Sequence, residues 1–350
     1  MEGTRKRGLD ISYCQKGLDL KTVKDAGMDY VIIRAGCAES VDSQLGRHTK
    51  GAADAGLPYG FYWYSMAYTV EQAEKEADAC LSAIGRYAPA YPVYYDMEEQ
   101  KQIDKLDSAT RTAIITTFCD IIREYGYTAG VYINPSWLET YVDKTKIVGK
   151  YDLWLACWTG DPNKPSSKFN YGQKMWQWGL DKVGGMKVDG DVCYFDYDKQ
   201  PQKAPIAADS NAIYRSLGTA AKRRRADKNG FSGENCVNGG YYAASQLVTP
   251  PSGTQQWFRH AGTNLYSALT DESGTGAKQF EQYGTYTMGL TVTAVNVRVS
   301  PGVNMEKLGT LDVGKTVYLT GETEQEGDRT WAQVVYNGRL AWMDKQWIKT

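Results

Sequence analysis

The chain has 350 residues, 42% of them hydrophobic and 23% charged, a balance that supports two or three soluble globular domains. Its formal net charge of −1 gives no electrostatic reason to expect nucleic acid or an anionic membrane as partner. No run approaches the roughly 18 apolar residues of a membrane span, so membrane insertion is not expected either.

The N-terminus, Met1 to Arg7, is basic, but Gly8 to Lys21 contains no apolar core of a secretory signal, so synthesis in a cytoplasm without export is expected. From Gly8 to about Tyr197 strand-like and helix-like segments alternate. Gly8 to Ser12 reads as a strand, Leu18 to Ala26 as a helix, and Tyr30 to Ala35 as a strand apolar on both faces. A helix around Ser43 to Ala55 leads to a strand over Leu57 to Ser65. Thr69 and Gln72 form a capping box opening a helix to about Ile84. After the strand at Pro92 to Glu98, Ser108 caps a long helix with Ile114, Ile115, Phe118, Ile121 and Ile122 on one stripe. Thr128 to Ile133, Asp152 to Cys157, Lys174 to Trp178 and about Lys187 to Cys193 complete eight strands. That count predicts an α/β fold, an irregular (β/α)8-type barrel.

Pro92-Val93-Tyr94-Tyr95-Asp96-Met97-Glu98 ends in two acids one residue apart. Alternation along a strand puts Tyr94, Asp96 and Glu98 on one face, with the Cβ atoms of the acids roughly 6.6 Å apart. Ionising one carboxyl then opposes ionising the other, which suits acid and base work at a glycosidic bond. Asp-x-Glu alone fits a solvated strand end as well. In barrels of this kind sites form at the C-terminal ends of strands, where Asp10, Asp189 and Asp191 would join Asp96 and Glu98. First and last strands are neighbours in a closed barrel, so Asp10 and Asp189 are expected side by side. Asp189 and Asp191 in Val-Asp-Gly-Asp fit a turn equally well.

The two histidines, His48 and His260, leave little room for a His-based triad or metal centre, so neither a metal nor a cofactor is expected. The seven cysteines (14, 37, 80, 119, 157, 193, 236) are scattered without a Cys-x-x-Cys, so buried reduced thiols are expected. The 26 tyrosines and 10 tryptophans suit sugar binding, cores and interfaces alike.

Eight motifs fall in a recognisable order: Gly8-Leu9-Asp10-Ile11-Ser12, Ile32-Ile33-Arg34-Ala35, Gly60-Phe61-Tyr62-Trp63-Tyr64, Tyr95-Asp96-Met97-Glu98, Gly130-Val131-Tyr132, Leu153-Trp154-Leu155-Ala156, Met175-Trp176-Gln177-Trp178 and Val188-Asp189-Gly190-Asp191. Together they resemble glycoside hydrolase family 25, the Chalaropsis-type lysozymes of bacteria and phages, over about residues 8 to 198. The resemblance implies hydrolysis of the β-1,4 bond between N-acetylmuramic acid and N-acetylglucosamine in bacterial peptidoglycan. It implies Glu98 as general acid and base, Asp96 as its partner, and Asp10 and Asp189 as shapers of charge and hydrogen bonding. Tyr62, Tyr64, Tyr132 and Trp176 would line the groove, and Arg34 would steady the acids. The last motif departs from the family's more usual Val-Asp-Leu-Asn, so Asp189 takes the role and Asp191 is unassigned.

Beyond Tyr197, Lys199 to Asp209 reads as a linker, and Lys222-Arg223-Arg224-Arg225 as a solvated linker run or a contact for an anionic wall polymer. Asn235 to about Gly289 is Gly-, Tyr- and Thr-rich with strands expected at Gln255 to His260 and Asn264 to Leu269. It is either a diverged wall-binding module or an extended linker with a little β structure. Strands near Thr291 to Val299, Thr316 to Gly321, Trp331 to Tyr336 and Gly338 to Met343 make a small all-β barrel. Val295-Asn296-Val297-Arg298-Val299-Ser300-Pro301-Gly302, with Leu311-Asp312-Val313-Gly314, Trp331-Ala332-Gln333-Val334 and Gly338-Arg339-Leu340-Ala341-Trp342, resembles a bacterial SH3-type domain, a family that commonly binds cell-wall peptides or glycans.

The sequence therefore divides into a muramidase-like domain (1–198), a linker or unassigned stretch (199–254), an unassigned segment with candidate β structure (255–289) and an SH3-like domain (290–350). A phage endolysin that reaches the wall after release fits the absence of an export signal. A non-catalytic glycan-binding protein and a structural phage-tail component are the alternatives, and the sequence does not fix the oligomeric state.

Overall fold

A computed structural model of the chain describes residues 5–199, 206–227, 230–250, 255–273 and 275–350. The chain forms two compact units, 1–205 and 206–350. Of the basic N-terminus, residues 1–4 lie outside the described residues, as do 200–205, 228–229 and 251–254 of the expected linker.

Among its described residues the first unit has nine strands: β1 (Lys6–Ile11), β2 (Tyr30–Cys37), β3 (Ser40–Val41), β4 (Tyr59–Tyr64), β5 (Val93–Asp96), β6 (Ala129–Ile133), β7 (Asp152–Ala156), β8 (Met175–Val183) and β9 (Met186–Cys193). Their order is β1-β9-β8-β7-β6-β5-β4-β2-β3, and β1 pairs back with β2, so a barrel closes with β3 standing outside it as an arm of β2. Strands β1 to β8 of the ring are parallel to their neighbours, whereas β9 is antiparallel to both β8 and β1. Five helices cross over the outside: α1 (Leu20–Asp25), α2 (Leu45–Asp54), α3 (Val70–Ile84), α4 (Gln100–Lys105) and α5 (Ser108–Glu124). After β6 the crossovers dwindle to one π turn at Trp137–Tyr141 and one 3-10 turn at Lys144–Lys146. The expected irregularity of the barrel has this form.

Local sequence sets these elements. Thr69 accepts from Gln72 N to cap α3, but the Gln72 side chain reaches Tyr68 N, one residue before a reciprocal capping box would place it. Asp107, not Ser108, caps α5 by accepting from Thr110 N. The stripe Ile114, Ile115, Phe118, Ile121 and Ile122 is buried, and Phe118 stacks on Tyr95 of β5 with ring centroids 4.0 Å apart.

Aromatic rings fill the barrel interior: Tyr30, Tyr62, Tyr91, Tyr94 and Trp154 form one buried cluster with Ile32 and Met175. Much of the tyrosine content is therefore core. Glycines opposite the rings make the room. A Cβ on Gly8 would lie 2.3 Å from the Tyr30 ring, and one on Gly130 2.3 Å from Tyr94. The cysteines are free thiols, and Cys80, Cys119, Cys193 and Cys236 are buried as expected, but Cys14 is exposed.

Among its described residues the second unit is built of strands, with one 3-10 turn at Lys345–Trp347. Its first sheet contains β10 (Ile206–Asp209), β11 (Ala212–Ser216), β12 (Ala220–Arg223), β13 (Phe231–Cys236), β14 (Tyr241–Thr249), β15 (Trp257–His260), β16 (Tyr266–Ala268) and β17 (Phe280–Thr285). Its second contains β18 (Thr287–Thr291), β19 (Val295–Arg298), β20 (Lys307–Leu311), β21 (Thr316–Glu326), β22 (Arg329–Tyr336), β23 (Arg339–Asp344) and β24 (Ile348–Lys349). Each sheet encloses its own apolar cluster, around Phe258 and Phe280 in the first and Val297, Val334 and Met343 in the second. Residues 206–249, read as linker or unassigned, thus supply five strands to a core. The basic run is not a solvated linker: Lys222 pairs with Glu234 at 3.0 Å, Arg223 with Glu272 at 2.6 Å and Arg225 with Asp227 at 3.0 Å.

Candidate active site

Asp96 closes β5 and Glu98 lies two residues beyond it, the first buried and the second open to solvent. Asp10 of β1 sits directly opposite Asp189 of β9. The antiparallel direction of β9 explains the position of Asp189. Its strand descends from the mouth, so residues near its start, not its end, join the C-terminal ends of the other strands. Asp191 follows two residues deeper, opposite Gln177 and fully buried, where the Trp154 indole donates to Oδ1 at 2.8 Å.

Five carboxyls in one recess hold protons more tightly than free carboxyls do. Burial first, then the charges of Asp189 and Glu98, push Asp10 up to about 8, against a hydrogen bond from Gln177 that acts the other way. Burial, then Glu98 and Asp10, raises Asp96 well above the usual range, with Arg34 opposing. Asp191 is raised by burial and then by Asp10. Although Glu98 is accessible at the mouth, the protein around its carboxyl, then Asp189 and Glu99, raises it as well.

The aromatic residues expected around the acids divide. The Tyr62 hydroxyl is buried near Asp10 and Asp96, whose charges add to burial in raising its pKa. Tyr64 stands beside Asp96 in the neighbouring strand and reaches Glu99 at 3.4 Å. Tyr132, also beside Asp96, donates to Gln177 Oε1 at 3.1 Å and packs edge-on against Trp154. Trp176 does not line the groove. It is 2% exposed, donates its indole N–H to Cys157 O at 2.7 Å, and packs with Trp178 and Val192 on the other face of β8. Arg34 pairs with Asp42 at 2.7 Å and lies over the Tyr13 ring, and from there its charge acts on Asp96.

Gln177 is the residue that the sequence reading passed over. Its Nε2 donates to Asp10 Oδ2 at 2.9 Å, and its Oε1 accepts from Tyr132 and, at 2.9 Å, from Trp158, which is 57% exposed. Alternation within Met175-Trp176-Gln177-Trp178 carries the signal, since Met175 belongs to the barrel interior and Gln177 shares its side. Trp158 lies in a loop without such a pattern.

A closed barrel with acids gathered at its mouth and aromatic rings beside them places the site where barrel enzymes carry theirs. Residues 9–183, half of the chain, match the model of glycosyl hydrolases family 25, and the chain belongs to that family. Residues 293–349 match the bacterial SH3 domain. Among solved structures the chain is similar to the modular autolysin LytC of Streptococcus pneumoniae, at 28% identity and a TM-score of 0.47 over 54% of this chain and 47% of that one. It is also similar to the catalytic domain of endolysin ply40 from bacteriophage P40 of Listeria monocytogenes (26%, TM-score 0.49, 56% of this chain and 97% of that one). A bacterial lysozyme from Streptomyces coelicolor matches at 20% identity and a TM-score of 0.44, over 55% of this chain and 94% of that one. The chain spans about half the length of the autolysin. No curated protein matches.

Proposed function

We propose that the chain is a peptidoglycan hydrolase that cleaves the β-1,4 bond between N-acetylmuramic acid and N-acetylglucosamine. The observation that carries the reading is the crowding of Asp10, Asp96, Glu98 and Asp189 at the mouth of a family 25 barrel, with each pKa raised. Glu98, accessible and proton-retaining, protonates the leaving glycosidic oxygen and later takes a proton from the attacking water. Asp96, two residues away, in its ionised form orients and charge-stabilises the 2-acetamido N–H of the muramic acid, whose carbonyl oxygen attacks the anomeric carbon as Glu98 gives up its proton. Asp10 and Asp189 set the charge of the recess, while Tyr62, Tyr64 and Tyr132 hold the sugar beside it.

The second unit holds the enzyme on its substrate, raising the local concentration of glycan at the barrel mouth. The SH3-domain match over residues 293–349 supports this division of labour. A phage endolysin acting on the wall after release is the biological setting we infer. The chemical identity of the ends released from purified walls tests the proposed bond.

A further inference from the structure

The two sheets of the second unit repeat one another. The first runs β13-β12-β16-β15-β14-β11-β17 and the second β20-β19-β23-β22-β21-β18-β24, the same order with each strand replaced by the seventh after it. The registers repeat too. Ile213 faces Ala243 and Arg215 faces Tyr241 in the first sheet; Met288 faces Tyr318 and Leu290 faces Thr316 in the second, each 75 positions later. Ala220 with Cys236 and Arg223 with Tyr266 correspond to Val295 with Leu311 and Arg298 with Trp342. Gly239 and Gly314, also 75 apart, precede equivalent strands at φ 73 and 76. Core positions recur while their residues differ: Ala220, Tyr242 and Ala244 are matched by Val295, Val317 and Leu319, and the sequence match covers the second copy, residues 293–349.

The copies pack reciprocally. Tyr242 of the first lies against Gly338, in the β22–β23 turn of the second, where an added Cβ would meet its hydroxyl at 3.1 Å; Tyr318 of the second meets Gly262, in the β15–β16 turn of the first, at 2.7 Å. Between them opens a cavity of about 540 Å³, within the range of ligand pockets. Its walls are equivalent segments: Tyr241, Tyr242 and Ala243 from one copy, and their counterparts Thr316, Val317 and Tyr318 from the other. Asn235, Thr263 and Asn337 add hydrogen-bonding groups at exposed positions. Charge is cancelled there. Lys222 and Glu234 are paired at 3.0 Å, and burial keeps His260 neutral.

We propose that residues 206–286 are a second copy of the SH3-type module and that the cleft between the copies binds a neutral, N-acetylated saccharide of the wall. This rests on the proposed wall-hydrolase function. Tyrosine faces suit the apolar faces of a sugar, and amide and hydroxyl groups suit its acetamido and hydroxyl groups. A phosphate-bearing polymer or a stem peptide rich in carboxylates finds no unpaired cation in the lining.

Hydrogen–deuterium exchange of the full chain with chitotriose, a soluble N-acetylglucosamine trimer, tests this. Exchange should slow at least tenfold at residues 235–243 and 316–318. Arginine at two exposed lining positions, Asn235→Arg with Thr316→Arg, should abolish that slowing and weaken sedimentation with walls at least tenfold, leaving barrel exchange unchanged. Unaltered exchange at these segments up to the solubility of the trimer overturns the proposal. Slowing there by a wall stem tetrapeptide and not by the trimer overturns the saccharide assignment. Failure of the hydrolase reading shows separately, as an absence of new reducing ends from treated walls.

Discussion

Gln177 and Asp10 are joined by a 2.9 Å hydrogen bond in which the amide direction is fixed, because the Gln177 carbonyl oxygen already accepts from Tyr132 and Trp158. The amide must therefore present its N–H to the acid, stabilising the carboxylate form. Gln177→Leu removes that donor and strands buried polar groups, a loss of about 1 to 3 kcal/mol. If the bond serves the reaction, kcat/KM falls about 10- to 100-fold at neutral pH. Unchanged kinetics in a folded variant would remove Gln177 from the positioning of Asp10.

The charge of Asp189 is one cause, after burial, of the raised pKa of Glu98. Neutralising it lets Glu98 lose its proton at lower pH. In Asp189→Asn the alkaline limb of kcat/KM, which reports the acid in the free enzyme, should move toward lower pH. A limb that stays in place or moves the other way means that Asp189 does not act on Glu98.

Behind the catalytic strand a second buried acid titrates without touching substrate. Glu76 is 2% exposed, accepts from Tyr95 at 2.6 Å and from Met66 N at 2.8 Å, and is raised by burial from 4.5 to about 7. The folded state thus holds the proton more tightly than the unfolded chain. Its contribution to stability is full below pH 4.5 and is lost as pH rises to about 7. The loss is on the order of 3 kcal/mol, at roughly 1.4 kcal/mol per pKa unit. Denaturant midpoints of Glu76→Gln should lack this portion of the slope; the same slope in variant and wild type would contradict the assignment.

The general order of the barrel was legible because buried parallel strands leave apolar runs and helices leave stripes, as at Tyr30 to Ile33 and Ile114 to Ile122. The acids were legible as motif residues at strand ends. Trp176 was misplaced because aromatic character says nothing about which face of β8 looks inward, whereas alternation from Met175 points to Gln177. The reversal of β9 leaves no mark in Val188-Asp189-Gly190-Asp191 itself; only the short Gly184-Gly185 link, too brief for a crossover helix, hints at a hairpin. Of the 206–286 sheet β15 and β16 were legible, as the strands expected at Gln255 to His260 and Asn264 to Leu269, whereas the strands before them were obscured by a basic run that resembles solvated linker, although Arg223 and Arg225 are paired within the module.

The acetamido route separates Asp96 from the role of nucleophile. Walls whose muramic acid has been de-N-acetylated should bind but resist cleavage, since the attacking carbonyl oxygen is gone. Comparable release of fragments from N-acetylated and de-N-acetylated walls would return Asp96 to direct attack on the anomeric carbon.

Mass spectrometry of borohydride-reduced fragments released from purified peptidoglycan tests the central claim most directly. The account predicts muramic acid at every newly formed reducing end, and a 10²- to 10⁴-fold slower release by Glu98→Gln, which removes a transferable proton and little volume. Glucosamine at the new ends, free stem peptides without new reducing sugars, or undiminished release by Glu98→Gln would contradict it.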